Sequence, residues 1–578
     1  MHELEIMINT MNRNQNARKN FVLLLVWTAI AIGLRLTRLA SKPPWTDEFS
    51  TLVFSLGNSF LRVPLDRAIA LDELLQPLQP NPANGVTQVV YNLVTESNHP
   101  PLYFMLAHWW MQLWSPNAVG LVSVWAARAF PALLGAAAVP AIYGLGWLAF
   151  RSRLVSHLSA AMLAVSPYGI FLAQEARHYT LAILWVIASF GCLVRAIRHI
   201  QNQKRLSTWL VVAWIAVNFL GISTHYFFVL TLCAEAIVLL ILGWQQIRNA
   251  AFSAYPWWQI GAVAFGTSIG GLVWLPVFLQ NNYGSDLTDW IQSGDKSLIA
   301  WLSPIFQAIA AWITMLSLLP VEAANLVVVI VSGAVMIAFF LWALPQLSYG
   351  FKVLLKQPAT RLMTLVFAGI VGSAIALFFF FTYALGIDLT RGARYNFVYF
   401  PALMVLVGAS LAVCWREVRG EERGVRDEGD KKKLAIKGKQ AVAVIWVMGL
   451  VSAITVVCNL GYQKYYRPDL LVEIIQNTSQ APILIATTHK THVQIGEMMG
   501  IGREFKLATQ TSPQFLLARQ VTPDAATATL QQTLNTLPRP LDLWLVNFHA
   551  PVVVNRCVAD SQSLPAVDGY IYKHYQCE

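Results

Sequence analysis

Five short polar motifs interrupt a chain otherwise dominated by apolar runs. They are Trp45-Thr46-Asp47-Glu48, Asn98-His99-Pro100-Pro101, Gln174-Glu175-Ala176-Arg177-His178-Tyr179, His225-Tyr226 and Arg391-Gly392-Ala393-Arg394-Tyr395. Carboxylates such as Asp47, Glu48 and Glu175 can take a proton from an attacking hydroxyl. Arginines such as Arg177, Arg391 and Arg394 present a forked, permanently charged head that suits phosphate. Plainer roles stand beside these: solvation of a loop, a surface ion pair, or snorkelling at the end of a span. Asp47 and Glu48 are adjacent and need not point the same way, so a carboxylate pair sharing one proton does not follow. His99 and His225 have no HxxxH-type spacing, and no metal site is expected from them. Trp45 and Trp109 could stack on a ring.

The elements that must position these motifs are membrane spans. With 56% hydrophobic residues, 12% charged residues and a mean hydropathy of +0.51, the chain does not read as a soluble globule. The net charge of +11 falls between apolar stretches, which fits the positive-inside bias and not a nucleic-acid surface. Six scattered cysteines without a CxxC pair encode neither zinc site nor redox motif. Phe21–Leu34 is followed by Arg35 and Arg38 instead of a cleavage site and reads as the first span. Arg35, Arg38 and Arg128 are open between snorkelling and phosphate contact.

The expected fold class is an all-α polytopic membrane protein with a small C-terminal α/β domain. The spans are placed at 21–40, 121–150, 155–173, 180–198, 207–225, 226–245, 259–279, 324–345, 362–384, 396–415 and 440–460. Basic loops set the orientation: Arg195 to Arg205, Lys352 to Arg361 and the dense stretch Arg416 to Lys439 face the cytoplasm, as does the N-terminus with Arg13, Arg18 and Lys19. Leu102–Trp114 is too short to cross and is placed flat on the outer surface, with Trp301–Leu319 as a second interfacial helix. Two domains result: 1–460 in the membrane, with a catalytic first outer loop at 41–101, and a soluble extracytoplasmic domain at 461–578. In that tail, Asp469–Gln476 and Asp524–Leu537 read as helices, and Pro482–Ala486 and Leu541–Asn547 as strands. Cys557 and Cys577 then lie in an oxidising compartment and are expected to pair. All five polar motifs come out on the outer side.

These motifs resemble, in order and spacing, those of the GT-C superfamily of lipid-dependent membrane glycosyltransferases, near the protein O-mannosyltransferases and aminoarabinose transferases. Asp47-Glu48 resembles that family's acidic pair, and His99-Pro100-Pro101-Leu102 its HPPL or KPPL element. Arg128 to Gly135 resembles its R-x-P-S-A-L-x-G-like stretch. Gln174 to Tyr179 resembles its QEARPY-like segment, with His178 where proline is usual. The likeness covers roughly residues 20–400 and leaves the tail unmatched.

The resemblance implies an inverting glycosyltransferase that moves a hexose or pentose from a polyprenyl-phosphate donor to an acceptor hydroxyl on a lipid, glycan or protein, at the outer side of a plasma or inner membrane. No cofactor, nucleotide sugar or nucleic acid is implied. Asp47 is the expected general base, with Glu48 orienting it or binding acceptor. Glu175 orients acceptor or sugar, Arg177 holds sugar or phosphate, and Arg391, Arg394 and Tyr395 grip the donor phosphate. His99, Tyr179 and His225 complete the substrate-binding wall. A secondary transporter or lipid flippase is the alternative, although such proteins tend to place ionisable residues at the bilayer midplane.

Overall fold

The structure is a computed structural model that describes residues 2–249, 254–280, 289–292, 297–421, 438–461, 466–508, 512–522, 524–560 and 564–578. Most of the basic stretch between Arg416 and Lys439 lies outside the described residues. The bundle is built from α1 (His2–Leu36), α6 (Val124–Phe150), α7 (Arg153–Val165), α8 (Pro167–Ala173), α9 (Tyr179–Gln201), α10 (Thr208–Thr224), α11 (Phe228–Arg248), α12 (Ala254–Leu272) and α13 (Leu275–Gln280). It continues with α14 (Leu298–Thr314), α15 (Leu326–Lys356), α16 (Pro358–Ala384), α17 (Phe400–Glu421) and α18 (Gly438–Val457). Four shorter helices, α2 (Thr46–Ser55), α3 (Leu71–Leu75), α4 (Val86–Glu96) and α5 (Leu102–Met111), fill the loop after α1.

Among the described residues nine helices are long and apolar enough to cross a membrane, or ten if α7 and α8, bent by 58° against each other, count as one span. The expected eleven passes follow when the shorter α10 and α17 are added and α14 is set along one end. By length and composition α14 could itself cross. Its partners keep it at one end instead. Tyr383 Oη donates to Trp301 O at 2.9 Å, Thr390 Oγ1 to Gln307 Oε1 at 3.2 Å and Trp312 Nε1 to Tyr399 Oη at 2.7 Å. Those three partners lie in the last turn of α16, for Tyr383, and in the connection from α16 to α17, for Thr390 and Tyr399. The ten residues of α5 rise only about 15 Å, too little to cross, and Trp110 Nε1 ties α5 to Ala126 O at the start of α6. At the opposite end the basic termini gather, with Arg416 bonded to Ser152 and Arg198 to Ala149 O.

The bend between α7 and α8 has a local cause. Ser166 adopts an extended backbone and Pro167 cannot donate, so carbonyls at the end of α7 lose their helical partners. Arg35, 1% exposed within α1, replaces them: its Nη2 donates to Leu163 O and its Nη1 to Ala164 O, each at 3.1 Å. A Cβ on Gly135 would stand 3.2 Å from Arg35 Nε and 2.8 Å from Ala173 Cβ, so this glycine makes room for the guanidinium. Arg35 therefore neither snorkels nor faces the site. Gln174 does the matching work for α1, donating to Leu34 O, Arg35 O and Thr37 O.

The tail folds as expected into alternating helices and strands: α19 (Pro468–Thr478), β2 (Ile483–His489), α20 (His492–Ala508), β3 (Gln514–Arg519), α21 (Ala525–Thr536), β4 (Leu541–Val546), β5 (Cys557–Ala559) and β6 (Tyr572–Cys577). The central strands are buried on both faces, as expected of parallel strands covered by helices. The sheet is not closed by the tail alone. Its order is β1-β3-β2-β4-β6-β5, and β1 (Ala68–Ala70) comes from the loop after α1, pairing antiparallel with β3. Asp66 secures the junction by accepting from Arg519 N at 2.8 Å and Arg519 Nε at 2.6 Å. A continuous apolar core joins Phe49, Leu52 and Val53 of α2 to Met498 and Phe505 of α20. Residues 41–101 and the tail thus share one end of the bundle.

Cys557 and Cys577 are bonded to each other across β5 and β6. A bridge with a sequence separation of 20 restricts the unfolded chain by about 3 kcal/mol in the loop-entropy account. Cys557→Ser is accordingly expected to lower the melting temperature of the protein. Melting with and without reductant checks this, and equal curves would remove the bridge as a stabiliser.

Candidate active site

The site begins with a helix start. Trp45 is the N-cap of α2, and Glu48 at the third helical position reaches back to Trp45 N at 3.4 Å, half of a capping box. The same carboxylate is 1% exposed and receives Arg128 through two bonds, Nε to Oε1 at 2.7 Å and Nη2 to Oε2 at 2.8 Å. Ala176 N also donates to Glu48 Oε1, at 2.8 Å. Arg128 in turn holds Leu39 O and Lys42 O, so it faces neither lipid nor phosphate. Glu48 was expected beside Asp47 in the chemistry. Its lone pairs are committed to the scaffold instead, and it does not line the cavity described below.

One residue earlier, Asp47 points the other way and keeps 28% of its side chain exposed. Its Oδ2 lies 3.6 Å from Arg177 Nη2 and 3.5 Å from Arg394 Nη2, ion-pair distances beyond direct hydrogen bonds. Arg177 is anchored independently: Nη1 donates to Asp47 O at 2.9 Å and Thr51 Oγ1 at 3.1 Å, and Nη2 lies 3.0 Å from His99 Nε2. Since a guanidinium only donates, His99 Nε2 accepts, and its Nδ1–H is left to face Ser97 Oγ at 2.9 Å. Arg394 is held by stacking, 4.9 Å from the Trp45 ring centre, 5.3 Å from Trp290 and 5.7 Å from Tyr395. Burial works against charge on both arginines, but nearby groups outweigh it and raise both: Asp47 most for Arg177, and Tyr179 followed by Asp47 for Arg394.

His99, His178 and His225 form a chain of rings, with centroids 5.5 Å apart between the first two and 4.6 Å between the last two. Burial first, and then neighbouring histidines and arginines, push all three well below the usual imidazole range, so they stand neutral. Among the described residues no group of three or more His, Cys, Asp or Glu is arranged to hold a metal ion. Glu175 is 3% exposed. Arg391 pairs with Asp388 at 3.3 Å and donates to Trp290 O at 2.6 Å.

These groups line one cavity of about 1590 Å³. It brings together Asp47, His99, Glu175, Arg177, Tyr179, His225, Arg391, Arg394 and Tyr395, every expected site residue except Glu48. Trp45 is also in the wall, whereas Trp109 is not. The sequence reading missed Trp290 and the whole opposite wall, His489 to Gln494 and Arg519 to Val521 of the tail. The tail carries no motif that could have marked them. Their signal was only positional, in that the tail and the loop after α1 were expected on the same side.

An apolar bundle with a polar cavity at one end, walled by a small α/β unit, defines an integral, multi-pass membrane protein. Within it, residues 103–283 match the family model of dolichyl-phosphate-mannose-protein mannosyltransferase, one of the groups that the motifs resemble. That stretch contains Glu175, Arg177, Tyr179 and His225 but is shorter than half the chain. No curated protein matches. Among solved structures, ArnT from Cupriavidus metallidurans bound to undecaprenyl phosphate aligns over 97% of this chain and 98% of its own, with 10% identity and a TM-score of 0.47. AglB from Archaeoglobus fulgidus, an archaeal oligosaccharyltransferase in complex with an inhibitory peptide and a dolichol-phosphate, aligns over 92% and 69% respectively, with 12% identity and a TM-score of 0.44.

Proposed function

We propose that the chain is an inverting glycosyltransferase that takes a sugar from a polyprenyl-phosphate donor and gives it to an acceptor hydroxyl at the extracytoplasmic face of the membrane. The observation that carries this reading is Asp47, a cavity carboxylate free of the scaffold and flanked by two charged arginines. The motif resemblance and the mannosyltransferase model over 103–283 point the same way. In the single displacement, the acceptor oxygen bonds to the anomeric carbon as the bond from that carbon to the phosphate oxygen breaks. The acceptor proton passes to Asp47. The polyprenyl phosphate leaves as an anion and needs no proton, so Arg394, with Arg391 and Tyr395 beside it, serves by stabilising its charge. Arg177, fixed by three partners, holds Asp47 in place and contacts the sugar. Glu175 orients the acceptor or sugar, while Glu48 positions the start of α2.

A transporter reading would draw on Glu235, 3% exposed inside α11. Ser189 Oγ lies 2.9 Å and 3.1 Å from its two oxygens, and the hydroxyl is linked onward to Asn218 and Trp214. That network stands apart from the cavity lining. The test is reconstitution of the purified full-length chain with labelled polyprenyl-phosphate hexoses and pentoses, followed by analysis of released or transferred sugar and its anomeric configuration. Transfer or hydrolysis with inversion is expected. Retention would overturn the single displacement, and silence with every donor would overturn the reading.

Arg394→Ala should raise the donor KM and lower turnover together, roughly ten- to a hundredfold, the scale of a lost charge-assisted hydrogen bond. Arg394→Lys should recover part of the loss, because it restores charge without the planar fork that stacks between Trp45 and Trp290. Steady-state kinetics with varied donor check both, and an unchanged donor KM in Arg394→Ala would detach Arg394 from the phosphate.

A further inference from the structure

The wall facing Asp47 is built from the loops that follow β2 and β3, parallel neighbours whose carboxyl ends open on the cavity. In open α/β sheets the crevice outside these ends is where ligands sit. Here two amides are fixed in complementary senses. Gln494 Oε1 accepts from Lys490 N at 3.1 Å and Thr491 N at 2.8 Å, which turns its NH2 group away from the loop. Gln520 Nε2 donates to His549 O at 2.6 Å, which leaves its carbonyl oxygen as the outward group. Lys490 adds an exposed ammonium at the same wall.

We propose that these loops are the acceptor subsite and that the acceptor they take is a polyhydroxylated headgroup, a sugar or polyol. The inference rests on the transferase reading above and adds where, and to what, the acceptor binds. A donor amide in the first turn of α20 and an acceptor amide on the loop after β3 match hydroxyls, each of which gives and accepts a hydrogen bond. An extended peptide would instead use a free strand edge. The edge strands are β1 and β5, and neither contributes to the cavity wall. The subsite is also held at a set distance from the base, because Phe49 of α2 packs against Gly496 and Gly500 of α20, where added Cβ atoms would meet it at 3.6 Å and 3.5 Å.

The experiment measures binding separately from turnover, using the full-length protein in detergent, saturation-transfer NMR and two probe sets: methyl hexosides, and acetylated tripeptides containing Ser or Thr. Hexosides should bind the wild type and Asp47→Asn alike, and about tenfold more weakly in Lys490→Ala and Gln494→Glu. The second variant keeps an oxygen for the backbone of Lys490 and Thr491 and exchanges the donor NH2 group for a charged acceptor oxygen, so it separates recognition from loop folding. In kinetics the same two variants should raise the acceptor KM while the donor KM and the rate of donor hydrolysis by water stay within about twofold. Unaltered hexoside binding in both variants, or binding of the tripeptides in place of hexosides, would overturn the proposal. Hexoside binding that depends on Lys490 and Gln494 in a protein that never cleaves a donor would leave the binding site standing and remove the transferase reading.

Discussion

Asp47→Asn is expected to abolish sugar transfer while the protein keeps its melting temperature and its affinity for donor. The amide cannot take the acceptor proton, and the loss of general-base help alone is worth about 10²–10⁴ in rate. The fold should tolerate the change. Arg177 retains Asp47 O, Thr51 Oγ1 and His99 Nε2, none of which depends on the carboxylate, and Arg394 retains its stack on Trp45 and Trp290. Donor binding and transfer should be measured separately on reconstituted protein. Transfer at near the wild-type rate would move the base to Glu175, the other expected carboxylate in the cavity wall, because Glu48 faces Arg128 and Ala176 instead.

Glu48→Ala is expected to act through stability, with a loss of about 3–5 kcal/mol, the usual result of removing one partner from a buried ion pair. Arg128, 1% exposed, would be left with only backbone carbonyls as partners, and Ala176 N would lose its acceptor. Ala176 adjoins both Glu175 and Arg177, so the damage should reach the site through their displacement. Replacing both Glu48 and Arg128 by methionine should restore much of the melting temperature, since a well-packed apolar pair often matches a buried ion pair. Activity should stay low in that double variant, because the loop from Leu39 to Lys42 loses its anchor. Thermal melts beside transfer assays distinguish this pattern from that of Asp47→Asn. A Glu48→Ala protein as stable as wild type would show that the pair does not hold the scaffold.

Neighbouring residues with such different fates show where sequence reading stops. That Asp47, Glu175, Arg177 and Arg394 meet in one cavity could be read from the alternation of spans, because hydropathy and loop charge place each motif at an end of the bundle. That Glu48 turns inward could not, since its partner Arg128 lies 80 positions away and nothing in local periodicity reports a contact of that range. The same holds for Arg35, whose position within a span suggested lipid or phosphate but whose actual partners are carbonyls released at Ser166. Hydropathy made α14 ambiguous, and only its links to Tyr383, Thr390 and Tyr399 set it along the end of the bundle. The tail's strands were legible from their composition. Their use as a cavity wall was not, because β1 arrives from another part of the chain and the loops at Lys490 and Arg519 carry no motif.

The pairing of Ala68 with Leu516 also sets a schedule for synthesis. About 450 residues separate these partners, which at ordinary elongation rates amounts to roughly half a minute or more. Throughout that interval the loop after α1 has left the ribosome without the strand and helices that complete its core, and the closure it awaits has a high contact order. Phe49, Leu52 and Val53, all buried in the finished protein, must wait for Met498 and Phe505. A chain that terminates between α18 and α20 would therefore keep every residue of the Asp47 motif and the membrane bundle, yet expose an apolar face beside the Asp47 cavity.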